Sequence, residues 1–212
     1  MAGSHSTEKI SIKSAAKLGI TGGIGSGKTI VCRVFNILGI PVFSADEEAK
    51  EAMEIDTTII LKLNAIAGKD LYAEGALNKA ELARLIFNNR YMLEKVNSIV
   101  HPVIFNRFAE WEKKQNAPYV IMEAAILFES GGFNMVDRIA TVIVPVEERI
   151  ERVIQRNNIT REQVIERIEN QMSDNEKIKQ SDYVINNSNN EMIIPQILDI
   201  HREILQSIQI GN

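Results

Sequence analysis

Apolar positions along the chain follow two rhythms. Short, nearly continuous apolar runs alternate with longer stretches in which apolar residues recur every three or four positions. Leu18–Thr21 is the first run and ends in a glycine cluster. Lys28–Leu38 follows with helical periodicity at Val31, Val34, Phe35 and Leu38, and Gly39 just beyond it reads as a stop signal. Ile40–Phe43 reads as a second strand, and residues 45–115 are mostly helical by pattern. Within them Ile104, Phe108 and Trp111 share one helix face, with Pro102 expected at the first turn. Tyr119–Met122, set off by Pro118, is a third strand, and Ile139–Val144 is a fourth whose continuous apolar character suits burial on both faces. Helices are predicted at 146–156 and 160–172, the second capped by Thr160 with Glu162 and Gln163 in its first turn. Tyr183–Ile185 is the last strand, and 191–208 a closing helix expected to break or bend near Pro195. Strands separated by helices predict an α/β fold with a doubly wound, parallel, five-stranded sheet.

Composition narrows this picture. The chain has 212 residues, of which 45% are apolar and 25% charged, as expected for one globular domain. Lys and Arg number 24 against 28 Asp and Glu, a formal net charge of −4. Without a broad cationic field, a nucleic-acid partner is disfavoured, while a small anionic ligand held by a few local cations is not. A single cysteine, Cys32, excludes an intramolecular disulfide and multi-thiolate zinc sites and fits a reducing, cytoplasmic compartment. Apolar runs stay well short of the roughly 20 residues of a membrane span, so no membrane partner is expected. Residues 1–17 lack the apolar core of a secretory signal and read as a disordered leader. Setting that leader aside removes three lysines and one glutamate and takes the body to about −6.

The strongest chemical signal is Gly22-Gly23-Ile24-Gly25-Ser26-Gly27-Lys28-Thr29, which satisfies G-x-x-x-x-G-K-[ST] between a predicted strand and a predicted helix. Glycines let consecutive N–H groups turn toward a phosphate, and the helix N-terminus adds unpaired donors and partial positive charge. The Lys28 ammonium would meet the β- and γ-phosphates, and the Thr29 hydroxyl would ligate Mg²⁺. The expected ATP contacts are Gly23, Ile24, Gly25, Ser26, Gly27, Lys28, Thr29 and Ile30. The motif alone does not separate a kinase from a GTPase or another ATPase, although no guanine-reading N-K-x-D segment occurs.

Other candidates admit two readings each. Asp46 follows the second strand and should face the crevice at the strand ends, as a base for an attacking hydroxyl or as a helix N-cap. Arg149, Arg152 and Arg156 share one helix side, either as a lid over a triphosphate or as a solvated face paired with Glu148. His101, next to Pro102, is a capping or packing residue on pattern alone, and Cys32 a small core residue. Asn186 and Asn187 either border an adenine or form a turn.

These segments together resemble one family, dephospho-coenzyme A kinase. The resemblance runs from about Leu18 to about Asn187. It rests on LGITGGIGSGKT, SAD, IFNNRYMLEKVNSIVHPVI, AILFESG, EERIERVIQRNNITREQV, Gln171 and SDYVINN in this order. It implies ATP-dependent phosphorylation of the ribose 3′-hydroxyl of dephospho-CoA, the last step of coenzyme A synthesis, with Mg²⁺ as cofactor. Asp46 matches the second acid of the family's D-A-D segment, the proposed base, and Ser44 stands where the first acid is usual. Glu123 stands where the family commonly has Asp, near Mg²⁺ through water. The resemblance makes Arg152 and Arg156 lid residues acting in catalysis with Lys28, and His101 and Glu129 part of the acceptor pocket. It places Asn186 at the ATP base. The implied organisation of 18–212 is a P-loop kinase core (18–46, 118–145, 173–212), a helical acceptor-binding insert (47–117) and a small helical lid (146–172). Rival readings are a kinase for another small metabolite and a nucleotide-binding regulator that acts on a protein.

Overall fold

The computed structural model describes residues 16–73, 75–87 and 89–210. The N-terminal half begins with β1 (Ala16–Thr21), α1 (Lys28–Ile37), β2 (Val42–Ser44), α2 (Ala45–Ile55) and α3 (Thr57–Ala67). It continues through β3 (Tyr72–Ala73), β4 (Ala76–Leu77), α4 (Lys79–Ile86) and α5 (Arg90–Glu112). The C-terminal half holds β5 (Tyr119–Glu123), β6 (Arg138–Ile143), α6 (Val146–Asn157) and α7 (Arg161–Glu169). It closes with α8 (Asp174–Lys179), β7 (Tyr183–Asn186) and α9 (Ile193–Ile210).

β1, β2, β5, β6 and β7 form one parallel sheet in the order β2-β5-β1-β6-β7. The central strands are apolar on both faces because helices cover both. In β5, Tyr119 and Ile121 point into a core with Phe35 of α1 and Ile197, Ile200 and Ile204 of α9. Val120 and Met122 point the other way, into a core with Phe43 and with Val96, Val100, Ile104 and Phe108 of α5. Each such fully buried side chain contributes about 1.5–3 kcal/mol through the hydrophobic effect. Helices of the 47–117 segment therefore cover one sheet face and share its core. β1 leads through α1 to β2 on one side, and β6 lies on the other, so the chain reverses direction around β1. That reversal opens a crevice at the carboxyl ends of the strands.

Several boundaries differ from the sequence reading, each for a physical reason. Pro102 lies in the interior of α5, whose N-cap is Asn89, accepting from the Met92 N–H at 3.1 Å. The apolar stripe Val96-Val100-Ile104-Phe108 runs through the proline, and its burial outweighs one missing helix bond. Pro195 sits in the first turn of α9, where N–H groups have no helical partner, so α9 continues unbroken. The otherwise helical 47–117 segment contains a small antiparallel hairpin, β3 with β4, turned at Gly75 with φ +83°. The helix expected over 160–172 ends at Glu169, and α8 starts afresh behind a Ser173–Glu176 capping box. Thr160 caps α7 with Gln163 as its reciprocal partner. Ala16 and Lys17 belong to β1 and not to the leader, since the Lys17 N–H donates to Asp137 Oδ2 at 2.7 Å. The leader's remaining residues, 1–15, lie outside the described residues.

Candidate active site

The loop between β1 and α1 places the start of α1 at the mouth of the crevice. Gly25 and Gly27 adopt φ of +80° and +88°, left-handed values that favour glycine. A Cβ at Gly27 would also lie 2.1 Å from Asn187 Nδ2. Gly27 is the N-cap of α1 and no side chain caps that helix, so its first N–H groups are left for a ligand. The Ser26 hydroxyl is buried within the loop without a hydrogen-bond partner among the described residues. This is a cradle shaped for an anion: the Ser26 and Ile30 N–H groups bond within the loop, at 3.1 Å to the Gly23 carbonyl and 2.9 Å to the Gly27 carbonyl, and the N–H groups at the start of α1 stay open.

Acidic and basic groups converge beside it. Lys28 Nζ donates to the Gly22 carbonyl at 3.0 Å and lies 3.8 Å from Glu123 Oε1. Glu123 ends β5, in register with Ser44 of β2 on one side and Ile20 of β1 on the other. Ser44 Oγ donates to Glu123 Oε2 at 3.0 Å; Ser44 is the N-cap residue of α2, yet its hydroxyl serves this carboxylate and not the helix. Burial holds the Glu123 carboxyl above its ordinary range, with Asp46 and Glu47 pushing the same way and Lys28 and Ser44 opposing. Asp46, the second residue of α2, reaches across to the turn after β5, where its Oδ2 accepts from the Ala125 N–H at 3.3 Å. The N-cap reading of Asp46 is thereby corrected: position 44 caps the helix, which leaves the Asp46 carboxylate at the crevice. Thr29, one residue into α1 beyond Lys28, is exposed, as is Ile30.

The three arginines of α6 have different surroundings despite their common spacing. Arg149 is 3% exposed; its Nε donates to the Ile24 carbonyl at 3.0 Å, and its Nη1 meets Asp174 Oδ2 at 2.6 Å. Gln171 Oε1 accepts from the Ile24 N–H at 2.9 Å, so side chains from the 146–172 segment grip both sides of this loop residue. Arg152 donates to Glu148, to the Asn187 carbonyl and to Asn189 Oδ1. Arg156 is exposed and bonds its neighbour Asn157.

The remaining predicted residues are dispersed. His101 is half-buried in mid-α5, 6.1 Å from the Phe105 ring, and burial lowers its pKa. Glu129 Oε1 accepts from the Met172 N–H at 2.8 Å and lies 3.5 Å from Lys177 Nζ. Asn186 Oδ1 accepts from the Ser188 N–H, while the neighbouring Asn187 reaches the phosphate loop, its Nδ2 donating to the Ser26 carbonyl at 2.8 Å. Asn186 also lines a cavity of about 510 Å³ with Ile143, Pro145, Arg149 and Met172; Lys28 and Asp46 lie outside it. Lys177, wholly buried and donating to the Ala125 carbonyl at 3.1 Å, had no signal in the sequence. Among the described residues no group of three or more His, Cys, Asp or Glu forms a metal cage, and no helix is long and apolar enough to cross a membrane.

Comparison with known proteins places this geometry in context. The family model described as dephospho-CoA kinase matches residues 16–192. A dephospho-CoA kinase of Bacteroides fragilis (strain YCH46) is 40% identical over 195 residues, covering 92% of this chain and 95% of the relative. Among solved structures, TT1252 from Thermus thermophilus superposes with a TM-score of 0.80 at 31% identity, covering 90% of this chain and 98% of that one. A dephospho-CoA kinase from Campylobacter jejuni shares the fold, with a TM-score of 0.66 at 24% identity and the same coverage of both chains.

Proposed function

From the premise that the chain belongs to the dephospho-CoA kinase family, we propose how its own residues carry the reaction. The activity is ATP-dependent phosphorylation of dephospho-CoA, the last step of coenzyme A biosynthesis, and its substrates are two small molecules. The acceptor atom in our reading is the ribose 3′-hydroxyl.

The observation that carries the residue assignment is the set of contacts at the end of β5. One turn offers Asp46 an N–H, and the adjacent Glu123 stands beside Lys28 and Ser44. Asp46 accepts the proton of the attacking hydroxyl. Lys28 leaves the Gly22 carbonyl for the β- and γ-phosphates, and the loop from Gly23 through Ile30 wraps the phosphate chain, with the N–H groups of Gly25, Gly27, Lys28 and Thr29 as its donors. Arg152 and Arg156 close over the transferring group and neutralise charge that develops there. His101 and Glu129 line the acceptor pocket formed by the 47–117 insert, and Asn186 borders the adenine. Closure of the 146–172 segment excludes water, which would otherwise compete as acceptor.

A divalent metal fits the donor set. The exposed Thr29 hydroxyl and the Glu123 carboxylate are hard oxygen donors, too few to cage an ion alone but suited to Mg²⁺ that keeps waters and phosphate oxygens. When bound, Mg²⁺ would supply charge neutralisation to the phosphates. We also propose a cytoplasmic location, which the single buried thiol, Cys32, supports.

The test is coupled ADP release with dephospho-CoA, with other hydroxyl acceptors, and with none. Selective release with dephospho-CoA, phosphorylated at the 3′-position, is the expected result. Equal release without any acceptor would contradict the reading.

A further inference from the structure

Lys177 lies on α8 with no exposed surface, an environment that strongly penalises an ammonium. Its Nζ is spent on two acceptors, the Ala125 carbonyl at 3.1 Å and Glu129 Oε1 at 3.5 Å. Thr21, fully buried at the end of β1, turns its hydroxyl to the same carbonyl at 3.4 Å. The N–H of that one residue, Ala125, donates to Asp46 Oδ2 at 3.3 Å. Ala125 also follows directly on the rung in which the Ala124 N–H meets the Ile20 carbonyl of β1.

The turn after β5 is therefore fixed through both backbone polar groups of Ala125, its carbonyl held by a buried cation and its N–H by the candidate base. We propose that Lys177 is a positioning residue for phosphoryl transfer: by holding the Ala125 carbonyl it sets the N–H that aims the Asp46 carboxylate at the acceptor hydroxyl. This inference rests on the reading of Asp46 as the base. Lys177 touches no substrate, because it is wholly enclosed by protein. Its pairing with Glu129 also ties α8, and through the Met172 N–H the segment before it, to the same turn. The aim of Asp46 and the placement of the lid's C-terminal end thus share one anchor.

Aligning a nucleophile and its base is sensitive to small displacements, on the order of 100-fold in rate for a shift near 1 Å. Lys177→Met keeps the aliphatic stem and deletes the ammonium. The expected result is a kcat lowered about 10- to 100-fold, with the KM for ATP within about 3-fold. The yield of phosphorylated product per ADP released should fall, because misaimed Asp46 favours water over the acceptor. Lys177→Arg, which retains a charged donor, should recover most of both quantities. A purely structural role would lower the melting temperature and leave product per ADP unchanged, and that outcome overturns the proposal.

Should Lys177→Met fail to fold, Thr21→Val and Thr21→Ser carry the test through the other donor. The valine variant should lose about 3- to 10-fold in kcat and the serine variant should recover it; equal kcat in the two overturns the proposal. Asp46→Asn, assayed alongside, separates the two levels. If Asp46→Asn keeps full turnover, the base reading itself has failed. If Asp46→Asn is inactive while Lys177→Met is unimpaired, only the positioning role has failed.

Discussion

Replacing Arg149 by Met should damage the nucleotide loop from outside the site. The guanidinium makes a charged bond to Asp174 and a second bond to the Ile24 carbonyl, and it packs against Gly23, where an added Cβ would lie 2.4 Å from Nη2. Losing the charged bond costs about 1.5–3 kcal/mol, and the abandoned Ile24 carbonyl about 1–3 kcal/mol. Asp174 keeps 24% of its side chain in solvent and regains water, so a total of about 3 kcal/mol is appropriate. For a chain of this size that is a fall in melting temperature of about 6–12 °C. Methionine fills the volume but cannot hold Ile24, so the Gly23–Gly25 segment loses its preformed shape. Ordering it again at each binding event should raise the KM for ATP by about 10-fold, or roughly 1.4 kcal/mol. The KM for dephospho-CoA should stay within about 2-fold, since nothing Arg149 touches belongs to the insert. Thermal melts and ATP titrations measure both quantities. A melting temperature within about 2 °C of the parent, with unchanged ATP KM, would refute the clamp.

Two other perturbations separate roles that look alike in sequence. Arg156→Ala should leave the melting temperature within about 1 °C, because that side chain is exposed, yet lower kcat by about 100-fold or more through lost charge neutralisation; undiminished kcat would remove Arg156 from the transfer step. The histidines should give the fold a pH dependence of definite sign. Burial lowers the pKa of His101 and of His201, whose Nδ1 meets the Tyr119 hydroxyl at 2.7 Å. The unfolded chain then binds more protons than the folded one below its ordinary value of 6.5. Their contribution is complete above that pH and is lost as pH falls through the lowered folded values. Melting temperatures between pH 7.5 and 5 should drop accordingly, and a doubly substituted His101→Gln, His201→Gln chain should show a shallower drop; equal slopes would assign the effect elsewhere.

What the sequence made legible follows from the range of the forces involved. The phosphate loop could be read directly, because strand, glycines, lysine and helix start are consecutive and their geometry is local. The buried strands could be read because both faces are covered, which leaves no polar alternation to confuse them. Pro102 misled because its penalty is local, whereas the stripe from Val96 to Phe108 that overrides it is paid back only by tertiary burial. The β3–β4 hairpin has two residues per strand, too few to impose a rhythm. In α6 the spacing correctly put three arginines on one side, but only the fold distinguishes buried Arg149 from exposed Arg156. Lys177 was invisible for the same reason: its partner Ala125 is 52 positions away, and no neighbour in sequence announces it. Asp46 lay between, with a strand end to mark it and a contact 79 positions distant to release it from a capping role.

The central claim is that Asp46 takes the proton of the acceptor hydroxyl while the loop and Lys28 hold ATP independently of it. The most direct measurement is single-turnover transfer from ATP to dephospho-CoA by Asp46→Asn, with ATP binding titrated on the same preparation. The account predicts an ATP Kd within about 2-fold of the parent and a transfer rate lower by about 100- to 10,000-fold. Transfer at the parent rate, with ATP bound equally well, would contradict it.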